Sequence, residues 1–232
     1  MRSSNRAKKR SQRDKRERVP TPLTRTTFKK GIRALTARDR RLERIVKDIG
    51  PPPMWARKPG FSTLLYIILE QQVSLASAKA AYDRLLIAAS PLTPKRFLGL
   101  SARSLRAIGF SRQKTEYGRA LAKSIINRRL DLSALVGMPD TDAKRELMDH
   151  RGIGPWTADI YLLQALRRPD VWPSADLALA VAIEEVLGLA ARPKTEEIDS
   201  IGECWRPWRA IAARVFWHYY LTGRSGSGEG AM

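Results

Sequence analysis

Apolar positions along the chain recur every three to four residues between short polar breaks, the spacing of helices that bury one face. Thr36 with Asp39 predicts a helix running to about Ile49, ended by Pro51-Pro52-Pro53. Ser62 precedes Leu64, Leu65, Ile67, Ile68 and Leu69, a run apolar enough for the centre of a fold. Ser74 caps a helix to about Ala89, and Thr93-Pro94 opens another with proline at its first position. Ser101 starts a short helix stopped at Gly109, and Ser111 one that reaches about Asn127. Asp140 or Thr141 opens a helix to Asp149, and Pro155 begins the next, with Ile160, Leu162, Leu163 and Leu166 to bury. Ser174 caps a helix ending at Gly188, and Pro207 to Tyr220 forms the last long one. Strand signals are nearly absent. About ten helices joined by short turns predict an all-α fold.

Composition sets the limits of this picture. The 232 residues, 43% hydrophobic, can bury a core in one large domain or two small ones. Residues 1–18 contain only Met1 and Ala7 as apolar groups, too little to offset the entropy of ordering, so 1–25 is expected to be a disordered basic arm. Glycine and serine predict a flexible tail over 223–232, which leaves 26–222 as the folded domain. No uncharged run approaches the roughly 20 apolar residues of a membrane span. The N-terminus lacks the apolar stretch of a secretory signal, so a cytoplasmic, nucleoid-associated or nuclear setting is expected rather than secretion. The single cysteine, Cys204, excludes an internal disulfide and a four-cysteine iron–sulfur cluster, and two histidines make no zinc site.

Charge changes the picture most. Lys and Arg number 43 against 23 acids, a formal +20. The first 18 residues hold nine bases against Asp14 and Glu17, and the rest of the chain remains strongly basic. Such a field attracts polyanions, nucleic acid before anionic lipid. The segment Arg151-Gly-Ile-Gly-Pro-Trp-Thr-Ala158 lies between two predicted helices. Its glycines permit a tight hairpin, and the helix start behind them offers free N–H groups in positive potential, a place for a phosphate. Alone, the same pattern also describes an ordinary turn between helices.

Four blocks set this hairpin in context: Leu69-Glu-Gln-Gln-Val-Ser74, Gly109-Phe-Ser-Arg-Gln-Lys114, Gly152-Ile-Gly-Pro-Trp-Thr-Ala-Asp159, and Trp205-Arg-Pro-Trp-Arg209 running on to Trp217. In order and spacing they resemble the helix-hairpin-helix superfamily of DNA glycosylases, most closely its 3-methyladenine DNA glycosylase II branch. The resemblance covers about residues 36–222. It is to the compact form, without the β-rich N-terminal domain that some relatives carry. Two helical subdomains are implied, about 62–170 and 30–61 plus 171–222, with a DNA and base cleft between them.

Several roles come with the resemblance. Asp176, 20 residues past Trp156, matches the essential aspartate, which stabilises positive charge on the sugar and orients or deprotonates the attacking water. Its place in the first turn of a helix also suits plain capping. Trp156 stands where lyase members carry a Schiff-base lysine, which implies a monofunctional enzyme. Trp156 and Trp217 match pocket walls for a cationic alkylated purine, with Trp172 and Tyr161 as further contributors. Ile160 replaces a pocket tyrosine of the best-studied branch, which leaves the substrate range open.

Around the pocket, Gln71 and Gln72 match the turn that enters the minor groove, Gln72 as wedge, with Ser74 beside them. Gly152, Gly154 and Thr157 match the phosphate grip. Backbone carbonyls of Met148, His150 and Ile153 match a site for a monovalent cation, Na+ or K+. No cofactor is required. The implied activity is release of 3-methyladenine and 7-methylguanine from double-stranded DNA, with hypoxanthine or ethenoadenine as further substrates, by a monomer. Two other readings stay open: a bifunctional glycosylase/lyase for oxidised bases, and a non-catalytic protein that binds DNA structure.

Overall fold

A computed structural model describes residues 18–226 of the chain. Among the described residues there are twelve α-helices and two short 3-10 turns, with no strand. The helices are α1 (Arg25–Thr36), α2 (Arg40–Ile49), α3 (Phe61–Glu70), α4 (Leu75–Ala88), α5 (Pro94–Gly99) and α6 (Ala102–Ile108). They continue with α7 (Arg112–Ile126), α8 (Asp140–Met148), α9 (Pro155–Gln164), α10 (Leu177–Leu187), α11 (Thr195–Gly202) and α12 (Arg209–Gly226). The all-α reading holds.

Capping chemistry explains most of the boundaries. Side-chain oxygens of Asp39, Ser74, Thr93, Ser101 and Ser111 accept N–H groups of the first turns of α2, α4, α5, α6 and α7. Ser62 is no cap. It lies inside α3, which starts after Gly60, and its hydroxyl shares a hydrogen bond of 2.6 Å with the Tyr82 hydroxyl. Ser174 also fails as a cap, because Asp176 itself caps α10.

Two of the expected ends need correction. The arm was expected to reach residue 25, but its last part is packed. Leu23 is buried, and its N–H donates to the Arg167 carbonyl at 2.8 Å. Helix α1 follows at once, buried through Phe28, Gly31, Ile32 and Leu35. The tail was expected from 223, but α12 runs to Gly226. Residues 1–17 and 227–232 lie outside the described residues.

The helices pack in two neighbourhoods. In one, α3 lies against α4, α7 and α9, with α5 on α7 and α8 on α9. In the other, α12 lies against α1, α2 and α10. A continuous apolar interior runs through both. Two buried guanidiniums tie irregular backbone to it. Arg168 donates to the carbonyls of Pro20, Leu135, Val136 and Met138 at 2.9–3.0 Å. Arg214 donates to Met54, Leu163 and Ala210 at 2.7–2.8 Å, and burial draws its pKa down to about 9. The carbonyls of Pro20, Met54, Val136, Met138 and Leu163, beyond the reach of a helix ladder, thus find buried donors.

Removing such a hub strands its carbonyls. Arg168→Met is expected to lower stability by about 3–5 kcal/mol, the order seen when one member of a buried charged network is lost. Denaturant unfolding measures the loss, and limited proteolysis should cut first near Pro20.

Candidate active site

Asp176 is the meeting point of three helices. Its Oδ1 accepts the Leu179 N–H of its own helix at 2.8 Å and the Trp217 indole N–H from α12 at 2.9 Å. Its Oδ2 accepts the Trp156 indole N–H from the start of α9 at 2.7 Å. A carboxylate offers about four acceptor sites, so Oδ1 is filled and Oδ2 keeps one free. The oxygen with spare capacity is the one that can take a proton or face a developing cation. Asp176 is half-buried and the next residue, Leu177, is 64% exposed, so the carboxylate lies near the protein surface.

Aromatic groups surround it unequally. Trp156 is half-buried, and Trp217 lies edge-on to Trp55 with ring centroids 6.4 Å apart. Trp55 is a residue that the sequence reading missed. Its φ of 45° is left-handed, rare for a bulky side chain. The chain on either side is clamped: Arg214 holds the Met54 carbonyl, and the Arg57 N–H donates to the Gln164 carbonyl at 3.0 Å. Nothing local in Pro-Pro-Pro-Met-Trp signals this, since the clamps come from distant helices.

Trp172 and Tyr161 are not pocket walls. Trp172 is buried, donates its indole N–H to the Ile198 carbonyl at 3.0 Å, and packs on Trp205. Tyr161 is fully buried. Its hydroxyl accepts the Gly60 N–H at 3.0 Å, and burial pushes its pKa up to about 12. Ile160 is buried as well. All three lie on faces that the core claims.

The hairpin is fixed from outside. Gly152 has φ +90°, and a Cβ there would overlap the Tyr117 ring, so glycine is required on two counts. Gly154 caps α9, is exposed, and has open space where a side chain would be. The Gln71 amide donates to the Gly152 carbonyl and to the Thr157 hydroxyl, both at 2.9 Å. Thr157 is 2% exposed. Gln71 and Thr157 therefore hold the hairpin to the end of α3, instead of presenting themselves to a ligand as expected. Lys114 adds a second tie, its ammonium donating to the Leu69 carbonyl at 2.7 Å. Burial holds that amine below the usual lysine range.

Gln72 differs from its neighbour. It is exposed, left-handed at φ 55°, and flanked by exposed Val73 and Leu75. Ser74 accepts the Ser77 N–H at 3.2 Å, so its oxygen serves the helix. Met148 closes α8, and the His150 carbonyl already accepts the Ile153 N–H at 3.1 Å. All three are neutral carbonyl oxygens, the donor type that suits a hard cation. Among the described residues, no group of three or more His, Cys, Asp or Glu is placed to hold a metal ion.

Comparison with known proteins gives this geometry a family. The family model described as HhH-GPD superfamily base excision DNA repair protein matches residues 65–208. The chain belongs to that superfamily. It is 25% identical over 207 residues to a Schizosaccharomyces pombe protein named alkylbase DNA glycosidase-like protein mag2, covering 86% of this chain and 97% of that one. It is 29% identical over 165 residues to a putative DNA-3-methyladenine glycosylase of Bacillus subtilis, covering 68% of this chain and 58% of that one.

Among solved structures, an S. pombe 3-methyladenine DNA glycosylase in complex with abasic DNA matches with TM-score 0.74 at 24% identity. That match covers 81% of this chain and 95% of the other, and speaks for the fold. A DNA-3-methyladenine glycosidase from Bacillus halodurans matches with TM-score 0.69 at 26% identity, covering 87% and 93%.

Gln71→Ala leaves the Thr157 hydroxyl and the Gly152 carbonyl without the amide. A loss of about 1–3 kcal/mol is expected by denaturant unfolding, with Gln71→Glu no better because it cannot donate. Asp159 gives a pH signature. It lies on α9 and pairs with Lys144 of α8 at 2.8 Å, yet burial outweighs that attraction and lifts its pKa to about 6. The folded state then holds the proton more tightly than the unfolded chain. This contribution to stability is complete below the unfolded pKa and is lost as pH rises through about 6. Relative to Asp159→Asn, the wild type should gain about 1 kcal/mol between pH 7 and pH 5. Parallel unfolding curves at the two pH values would refute this.

Proposed function

We propose that the chain is a monofunctional DNA glycosylase that hydrolyses the N-glycosidic bond of alkylated purines in duplex DNA. The observation that carries this reading is the Asp176 carboxylate held by the indole N–H groups of Trp156 and Trp217. The names of its relatives support the substrate class.

A purine alkylated at N3 or N7 is cationic, so an indole face attracts it by about 0.5–2 kcal/mol. As the C1′–N bond breaks, its electron pair moves to the base, which leaves neutral and needs no protonation. Positive charge passes to the sugar, where the carboxylate stabilises it. Water then bonds to C1′, and Oδ2, with its free acceptor site, takes the water proton before returning it to solvent. No lysine amine takes part in this scheme. Trp156 occupies the hairpin position, the Lys114 amine is bonded to the Leu69 carbonyl, and the Lys144 amine to Asp159. Strand cleavage through a Schiff base is therefore not expected.

The exposed, strained turn at Gln72 suits a wedge that fills the gap left by a flipped nucleotide, with Val73 and Leu75 as apolar flanks. The free N–H groups at Gly154 and the start of α9 suit a phosphate beside the lesion. A monovalent cation on the carbonyls of Met148, His150 and Ile153 would add positive charge to that grip. The partner is double-stranded DNA, and a monomer carries every group named. No described helix is long and apolar enough to cross a membrane.

HPLC of bases released from methylated duplex DNA tests the proposal. Wild type should release 3-methyladenine and 7-methylguanine, and Asp176→Asn should lose at least ~100-fold in rate, the scale of one general base or electrostatic stabiliser. Strand nicks should appear only after alkali. Borohydride trapping of a covalent adduct would instead establish the lyase reading, and tight binding with no base released would favour the non-catalytic one.

A further inference from the structure

The charge of α1 is one-sided. Arg25, Lys29, Lys30 and Arg33 are exposed, and the twelve-residue helix contains no acid. Arg25, Lys29 and Arg33 recur every four residues and form a stripe about 12 Å long. Like charges at that spacing repel, and Arg25 sits in the first turn, where the helix dipole is already positive. The Thr24–Thr27 capping box and the buried face through Phe28, Gly31, Ile32 and Leu35 hold the helix in spite of this. Among the described residues, none of the four cationic side chains has an ion-pair or hydrogen-bond partner.

The contacts that anchor α1 lie away from the candidate active site. Leu23, just ahead of α1, bonds to the Arg167 carbonyl beyond the C-terminal end of α9. Trp156 is at the other end of that helix, about 15 Å away along its ten residues. Gly31 packs on Trp208 and Ile211 at the start of α12, and Trp217 lies further along.

We propose that the α1 stripe is a second DNA-binding face, which takes the backbone of a duplex other than the one at the active site. The proposal rests on the reading that the chain acts on DNA. Charge complementarity selects the occupant. The formal charge is +20, and a 12 Å stripe spans three to four base-pair rises of about 3.4 Å. A molecule with two such faces passes from one duplex to another without first becoming free.

Stopped-flow dissociation from a labelled undamaged duplex, at rising concentrations of unlabelled duplex, tests this in the full chain. The wild-type off-rate should rise with competitor, and that of Arg25→Gln/Lys29→Gln/Arg33→Gln should stay flat. The double variant Lys29→Gln/Arg33→Gln serves if the triple one unfolds. A wild-type off-rate independent of competitor, or an equal rise in the variant, would overturn the proposal. So would a variant that loses binding to phosphatidylserine vesicles while exchanging duplexes as before. A wild type that exchanges duplexes but releases no alkylated base would sink the glycosylase reading and leave the second face standing.

Discussion

The carboxylate of Asp176 is where the fold converges. Three N–H groups reach it, from its own helix, from the start of α9 and from the middle of α12. Helix α12 belongs to one packing neighbourhood and α9 to the other. The geometry at this one side chain therefore depends on how the two neighbourhoods sit on their shared interior. The two buried arginines serve that end. Arg214 joins α12 to the end of α9 and to the segment carrying Trp55, and Arg168 fixes the chain between α9 and Asp176.

The hairpin follows a related logic with neutral groups. Gly152 lets the turn close against Tyr117, and one amide, Gln71, bonds both the turn and the first turn of α9. Gln71 and Gln72 are identical in sequence and opposite in role. One is turned inward and bonded, the other is exposed on strained backbone. A hairpin held this way needs little reordering to bind, so less entropy is lost when it does.

Much of the fold was legible because its signals are local. Ser74, Thr93, Ser101, Ser111 and Pro155 mark real helix starts, and the apolar positions read in α3 and α9 are real core. Helix α1 was illegible because its cations look like more of the basic arm, while the partners of its apolar face, Trp208 and Ile211, lie far along the chain. At the site, Asp176, Trp156 and Trp217 do come together. Tyr161 and Trp172 do not join them, because aromatic identity says nothing about which face the core takes. Gln71 and Thr157 carried the right types with the wrong partner: each is bonded to the other. Trp55 had no signal, since its backbone is imposed by long-range hydrogen bonds.

The two indole hydrogen bonds to Asp176 make Trp156, Trp217 and the carboxylate one mechanical unit. A substitution that moved the ring of Trp156 or Trp217 would also re-aim the carboxylate. In the proposed reaction, choice of base and speed of bond breaking are thereby geared together and cannot drift apart one residue at a time. On the proposed reading, divergence in substrate range enters through side chains that touch the indoles, and Trp55, edge-on to Trp217, is one.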